Sequence, residues 1–483
     1  MKSRNADCKE DGAPLRVRRF SFGSPPFRTA RACCGLLLSA ALASCASPQI
    51  RALDPAESLA PAVLTASGAI SGARAEQLVG RRLGPEHDDE VRTLIEAFQA
   101  QAGAPLVAGN RVSLLIDGPQ TLEAIRKAIE GAHSSVHMET YIFADDEVGT
   151  LFADLLIARK QAGLDVRVIY DAVGSMTTPA AFFKRMRDAG VEVREFRPLD
   201  PIRTPLAWKI NNRDHRKIVV VDGRTAFTGG INISSTYESS SSTRPGPEEG
   251  VDAAWRDTHV ELDGPVAAQF QALFLSTWTR AGGEVKDEQG VLFPSIPAVG
   301  NELVGAVASE GDDNSESRIY ASYLTAVEHA SQRIWLTNAY FAPDKAFRKA
   351  LIAAAKRGVD VRLIVPGFTD SGLILHASRS TFDELLAGGV RIYEQRYALL
   401  HAKTAVIDTA LSMVGSANLD MRSFLHNNEV NAVVVGSTFA ERMERVFERD
   451  LKDTHELDLE SWRKRPFMDK LKEQGSRLFS YWL

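Results

Sequence analysis

The sequence predicts an α/β protein of two duplicated α-β-α halves that meet about a pseudo-two-fold axis and share one site. Three observations lead there. Asp214-His215-Arg216-Lys217-Ile218-Val219-Val220-Val221-Asp222 and Leu400-His401-Ala402-Lys403-Thr404-Ala405-Val406-Ile407-Asp408 both read His-x-Lys-x-x-x-x-Asp. Each is followed by a Gly-rich corner and an amide, Gly229-Gly230-Ile231-Asn232 and Gly415-Ser416-Ala417-Asn418, and one offset of 186 residues relates His215 to His401, Asp222 to Asp408 and Asn232 to Asn418. From Asn110 onward, strand-like and helix-like segments alternate, and the alternation returns downstream.

Taken in order, the chain opens with Arg16, Arg18, Arg19, Arg28 and Arg31 ahead of an apolar run over 32–43. That run is too short for a spanning helix of about 20 residues and reads as a signal peptide. Leu42-Ala43-Ser44-Cys45 resembles the bacterial lipobox, which implies cleavage before Cys45 and lipidation of it; an ordinary secretory signal ending near Ala43, Ser44 and Ala46 is the alternative. Ala46 after the cysteine points, by the same resemblance, to the outer membrane. All four cysteines, Cys8, Cys33, Cys34 and Cys45, lie in this region, so the body has neither a disulfide framework nor a thiolate metal site.

Residues 46–109 form a lead-in, partly helical from Asp88-Asp89-Glu90. Beyond it the pattern predicts strands over 112–116, 136–143 and 166–170 and helices over 122–132 and 151–161. Asp165-Val166-Arg167 returns as Asp360-Val361-Arg362, and Tyr141 with Phe143 returns as Tyr340-Phe341. The expected division is 1–45 signal peptide, 46–109 lead-in, 110–300 first half and 301–483 second half. The serine run in 234–250 reads as a surface loop, either a plain solvated insertion or, because it follows the Asn232 corner, a border of the active-site mouth. A net charge of −5 argues against a broadly basic nucleic-acid binder.

Each motif's apolar run reads as a buried strand. His and Lys, two apart, then share one face, while Asp222 and Asp408 fall on the other at the strand's far end, where support of the strand suits them better than chemistry. Two such faces present two imidazoles, two ammoniums and the amides of Asn232 and Asn418 to one site. Phosphodiester chemistry needs that inventory: one imidazole to attack phosphorus, one to protonate the departing alkoxide, and donors to hold the oxygens. No metal or cofactor is expected. His133 and His137 have a metal-like spacing of four, but the pattern changes there from helix to strand and no third ligand is evident.

These motifs, with Asn212-Arg213-Asp214-His215, Trp255-Arg256-Asp257-Thr258-His259-Val260, Arg357-Gly358-Val359-Asp360 and Gly415-Ser416-Ala417-Asn418-Leu419-Asp420-Met421-Arg422-Ser423-Phe424, resemble the phospholipase D superfamily of HKD-motif enzymes. Within it they look most like bacterial cardiolipin synthases, and the likeness runs from about residue 110 to the C-terminus. The resemblance implies a catalytic set of His215, Lys217, Asp222, His401, Lys403 and Asp408, with Asn232 and Asn418 binding substrate. It also implies carboxylates that orient the histidines, Asp257 downstream of the first motif and Glu429 downstream of the second.

The implied reaction is phosphatidyl transfer through a phosphohistidine, with His215 as nucleophile and His401 as acid, although pseudo-symmetry allows the reverse. Two phosphatidylglycerol molecules would give cardiolipin and glycerol; water as acceptor would make the enzyme a phospholipase D hydrolase releasing phosphatidic acid. A metal-independent nuclease and a non-enzymatic lipid-binding protein are the remaining classes. The expected partners are phospholipid substrates and a membrane surface reached through the lipid anchor, facing the periplasm, with no obligate protein partner. At the C-terminus, Arg463-Lys464-Arg465 and the apolar Leu478, Phe479, Tyr481, Trp482 and Leu483 read equally as a membrane-surface tail or as packing on the second half. Two features depart from the family's usual pattern: the lipobox-like leader, and Asn338-Ala339-Tyr340-Phe341 without a proline before the Tyr-Phe pair.

Overall fold

β-Branched runs build two matching arrays of strands. The computed structural model describes residues 62–199, 211–241, 254–311 and 317–479, apart from 66, 86, 88, 288, 289, 370 and 478. The stretch read as a signal peptide, Cys45, the start of the lead-in and Tyr481 to Leu483 lie outside the described residues.

In the first half the strands are β1 (Leu106–Ile116), β2 (Ser135–Thr140), β3 (Asp165–Asp171), β4 (Glu192–Phe196), β5 (Ile218–Val221), β6 (Thr225–Gly229) and β7 (Thr258–Asp263). They lie in the order β1-β7-β6-β5-β2-β3-β4. The second half supplies β8 (Glu302–Ser309), β9 (Arg333–Asn338), β10 (Asp360–Pro366), β11 (Arg391–Gln395), β12 (Lys403–Ile407), β13 (Leu411–Gly415) and β14 (Glu429–Val435). Their order, β8-β14-β13-β12-β9-β10-β11, repeats the first with every label raised by seven. Only the last three strands of each array run parallel, and helices such as Glu147–Gln161 and Lys345–Lys356 make those crossovers. β1 and β8 pair antiparallel and join the arrays.

The period of two decides which core each side chain enters. On β5, Val219 and Val221 pack among Met138, Phe152 and Val168 of the first half, whereas Ile218 and Val220 meet Val406, Val414 and Val434 of the second. Each such aliphatic buries for about 1.5–3 kcal/mol, so the layer between the arrays holds the two halves together. The lead-in belongs to this core as well: Val91, Leu94 and Phe98 of the helix Asp89–Ala102 pack with Leu303 and Tyr323.

Three expectations change. The first strand of the first half begins at Leu106, inside the stretch assigned to the lead-in, which also supplies the paired strands Ala62–Thr65 and Gly68–Ser71. β5 and β12 begin at Ile218 and Lys403, so His215, Lys217 and His401 precede the strands of their own sheets. The reason is that the backbone there bonds the opposite half: His215 N–H donates to the Asn428 carbonyl at 3.0 Å and His401 N–H to the Arg256 carbonyl at 2.8 Å. Finally, the described part of the serine run is anchored rather than simply solvated. Ser234 and Ser235 bond Asp146, and Ser240 and Ser241 bond the Asp117 carboxylate. His137 is a core residue, stacked on Phe274 and bonded to Gln271 at 2.9 Å.

Candidate active site

The two backbone crossings position the site. Asn428 receives the His215 N–H, and the next residue, Glu429, places its carboxylate 3.0 Å from His215 Nδ1. Arg256 receives the His401 N–H, and the next residue, Asp257, reaches His401 Nδ1 at 2.8 Å. Chain order sets each acid after the motif of its own half; the structure exchanges them, so neither half holds a complete histidine–carboxylate pair. With Nδ1–H donated to a carboxylate, each ring keeps Nε2 for chemistry. The imidazoles are 12 % and 9 % exposed, whereas Glu429 and Asp257 are fully shielded.

Both carboxylates are held by further bonds. Glu429 accepts from the hydroxyls of Ser416 (2.5 Å) and Ser423 (3.0 Å) and from Asn427 Nδ2. Asp257 accepts from the Thr258 N–H, while its own N–H donates to Asp117. The serine run, Asp117, Asp257 and His401 thus form one continuous chain of contacts.

The electrostatics of the two pairs differ. Burial, reinforced by the charges of Lys217, Lys403, His401 and Arg422, holds His215 well below the ordinary histidine range. Its partner Glu429 is pushed up by burial, which Lys217 and Ser416 only partly oppose. His401 is also lowered by burial and Lys403, but Asp257 resists that shift. In Asp257 itself burial acts upward, yet His401 and Lys403 outweigh it and keep the acid below the usual carboxylate range. Both imidazoles are therefore biased toward the neutral form, His215 the more strongly, while His401 stands beside an acid held below the usual carboxylate range.

The lysines complete the cationic floor. Lys217 Nζ donates to the His215 carbonyl at 2.8 Å and Lys403 Nζ to that of His401, which brings each ammonium back toward its own histidine. Burial lowers Lys217 to about 7, with Glu429 opposing and Lys403 adding to the shift. Since the ammonium is present only below that pKa, kcat/KM is expected to fall as pH rises through about 7. Bound phosphodiester anion favours the charged form, so kcat should hold to higher pH. Rate profiles of Lys217→Arg, whose guanidinium keeps its proton, should lack the alkaline limb; an unchanged limb would exclude Lys217 as its source.

Asp222 and Asp408 are not at the site. They occupy left-handed backbone at φ 53° and 52°, about 20 Å along the strands from the histidines. Asp222 accepts the N–H groups of His133, Ser134 and Ser135, and Asp408 those of Ser331, Gln332 and Arg333. They clamp the turns that start β2 and β9, a positioning role at the strand ends rather than contact with the reacting atoms. Asp408→Ala should cost about 1–3 kcal/mol in urea unfolding by removing the acceptor of three part-buried backbone N–H groups, whereas Asp408→Asn, which tolerates positive φ and keeps an acceptor, should lose much less.

The two amides also diverge. Asn232 accepts from the Ile142 N–H and donates to the Tyr237 hydroxyl at 2.8 Å, so its side chain is largely committed to the frame. Asn418 Oδ1 is buried without a hydrogen-bond partner among the described residues. Sequence reasoning missed a collar of aromatics. Tyr141 meets His215 edge-on at 5.0 Å and lies under Lys217, while Tyr237, Trp255 and Tyr340 stand 5.9, 5.3 and 6.5 Å from His401. It also missed Arg422, whose charge acts on both His215 and Tyr141. The available signals are the echo of Tyr141 in Tyr340 and the place of Trp255 and Arg422 within the stretches that carry the family resemblance. Among the described residues no cluster of three or more His, Cys, Asp or Glu could hold a metal ion.

Comparison with known proteins agrees with this architecture. The family described as "Cardiolipin synthase, PLD-like domain" matches residues 125–242 and 323–451. The cardiolipin synthase of Alkalihalophilus pseudofirmus is 35 % identical, over 78 % of this chain and 73 % of that protein. Cardiolipin synthase 2 of Bacillus anthracis is 37 % identical, over 76 % and 69 %. The crystal structure of phosphatidylserine synthase from Haemophilus influenzae superposes with a TM-score of 0.60 at 14 % identity, covering 81 % of this chain and all of that one, and so shares the fold.

Proposed function

The chain belongs to the phospholipase D-like family of cardiolipin synthases, and from that premise we propose that it makes cardiolipin from two phosphatidylglycerol molecules, as a phosphatidyltransferase. The observation that carries the reading is the pair of crossed histidine–carboxylate contacts, with the charge of His401 acting on His215, which supports two imidazoles from two halves serving one site. The residue roles and the division into two halves, the first opening with the strand Leu106–Ile116 and the second near residue 301, are part of the same proposal.

His215 Nε2 attacks phosphorus and the bond to the glycerol headgroup breaks. Imidazolium His401 gives its proton to the departing alkoxide, leaving phosphatidyl-His215 and neutral His401. His401 then takes the proton of a headgroup hydroxyl on a second phosphatidylglycerol. That oxygen attacks phosphorus, the P–N bond breaks, and His215 is released. Lys217, Lys403 and Arg422 hold the phosphate oxygens, whose charge grows in each transition state. The neutral bias of His215 suits the nucleophile, and the ionised Asp257 beside His401 suits the acid.

Trp255, Tyr237 and Tyr340 around His401 favour an organic hydroxyl over water as acceptor. Mass spectrometry of products from phosphatidylglycerol vesicles decides this: cardiolipin with free glycerol is expected, while phosphatidic acid alone would make the enzyme a hydrolase. DNA incubated with the same protein in chelator should remain intact. The lipid anchor at Cys45 and a periplasmic, outer-membrane location are proposed from the leader alone. Radiolabelled fatty acid incorporated by the natural chain and lost in Cys45→Ser is the expected result.

A further inference from the structure

The C-terminal helix Phe467–Arg477 is amphipathic in the inverted sense. Its buried side chains are polar: Glu473 and Ser476, at 4 % and 6 % exposure, with Glu473 paired to Arg465. Its apolar side chains face outward, Phe467 at 75 %, Met468 at 59 % and Leu471 at 52 %, and Phe479 just beyond is 53 % exposed. At 100° per residue the three helical positions fall within an arc of about 100°, with Lys472 at its border. The helix packs on Gly372–Arg379, whose Leu373 is 43 % exposed. A water-facing helix normally turns such a stripe inward; contiguous exposed apolar surface marks an interaction site.

Two further observations identify what covers it. The segment 463–477 carries six basic side chains, Arg463, Lys464, Arg465, Lys470, Lys472 and Arg477, against Asp469 and Glu473, in a protein of net charge −5. The patch also lies beside the site: Gly372–Arg379 touches the short strand Phe341–Ala342, which directly follows Tyr340, the ring that faces His401. Among the described residues no helix is long and apolar enough to cross a membrane.

We propose that this face docks on an anionic phospholipid bilayer, with Phe467, Met468 and Leu471 below the headgroups and the lysines among the lipid phosphates. The proposal rests on the reading that the substrate is a phospholipid, and it places the site against the leaflet that supplies both substrates. A docked helix raises the local substrate concentration without touching the chemistry, so its loss should appear in binding and KM on vesicles, not in turnover of dissolved lipid.

The test uses the full chain carrying Cys45→Ser, so that the leader's anchor does not mask the result, with Phe467→Ser, Met468→Ser and Leu471→Ser combined. These side chains are exposed, so the fold should survive; a second variant, Lys470→Glu with Lys472→Glu, probes charge alone. Flotation with vesicles containing phosphatidylglycerol should show at least about tenfold weaker binding for the triple variant, and a similar rise in vesicle KM. Turnover of monomeric short-chain phosphatidylglycerol should stay within about twofold. Vesicle binding equal to that of the parent would overturn the docking surface. So would a change in oligomeric state by sedimentation with vesicle binding intact, since a second copy would then be the occupant. Failure of the parent to turn over dissolved phosphatidylglycerol would instead overturn the proposed function, with flotation still reporting on docking.

Discussion

His215→Ala is expected to lower phosphatidyl transfer by about 10⁴-fold or more, and no change of leaving group should restore it. The variant lacks the atom that bonds phosphorus, so both half-reactions lose their shared intermediate. His401→Ala is expected to cost about 10²–10⁴-fold on phosphatidylglycerol, because an alkoxide must then depart unprotonated. With a p-nitrophenyl phosphatidyl ester, whose leaving group needs no proton, His401→Ala should recover its first half-reaction and release p-nitrophenol in a single burst. Rescue of His215→Ala rather than His401→Ala would reverse the two roles.

The second large effect follows from the exchange of carboxylates. Asp257→Asn is expected to reproduce the His401 phenotype, a loss of about 10²–10⁴-fold that the p-nitrophenyl ester rescues, although Asp257 lies in the half that carries His215. Glu429→Gln should reproduce the His215 phenotype and resist rescue. Because each acid acts through the opposite histidine, Asp257→Asn combined with His401→Ala should be little worse than His401→Ala alone, whereas Asp257→Asn combined with Glu429→Gln should disable both pairs. Steady-state and burst kinetics of these variants would show the reverse pattern if each acid served the motif it follows in the chain.

Much of this architecture is legible in the residues. The β-branched runs at 218–221 and 404–407 could only be buried strands, and their equal offsets from Asn232 and Asn418 require equivalent strand-corner units. Parity likewise sets Asp222 and Asp408 apart from the histidines. What chain order does not reveal is the exchange: His215 meets Glu429 across 214 residues and His401 meets Asp257 across 144. Those contacts arise from backbone bonds to Asn428 and Arg256, and local pattern carries no record of long-range pairing. The aromatic collar is hidden for a related reason, since Tyr237, Trp255 and Tyr340 sit in connections without periodicity. The helix Phe467–Arg477 has a readable amphipathic spacing, but spacing fixes only that an apolar face exists. Only packing shows that Glu473 and Ser476 turn inward and Phe467 outward.

The most direct test of two imidazoles acting from two halves on one phosphorus is to trap the intermediate. His401→Ala supplied with p-nitrophenyl phosphatidyl ester, quenched in alkali to preserve phosphoramidate and digested for mass spectrometry, should carry one phosphatidyl group on the peptide containing His215. No adduct should form in His215→Ala. A phosphatidyl group on the peptide containing His401 in the natural chain, or turnover without any covalent adduct, would contradict the account.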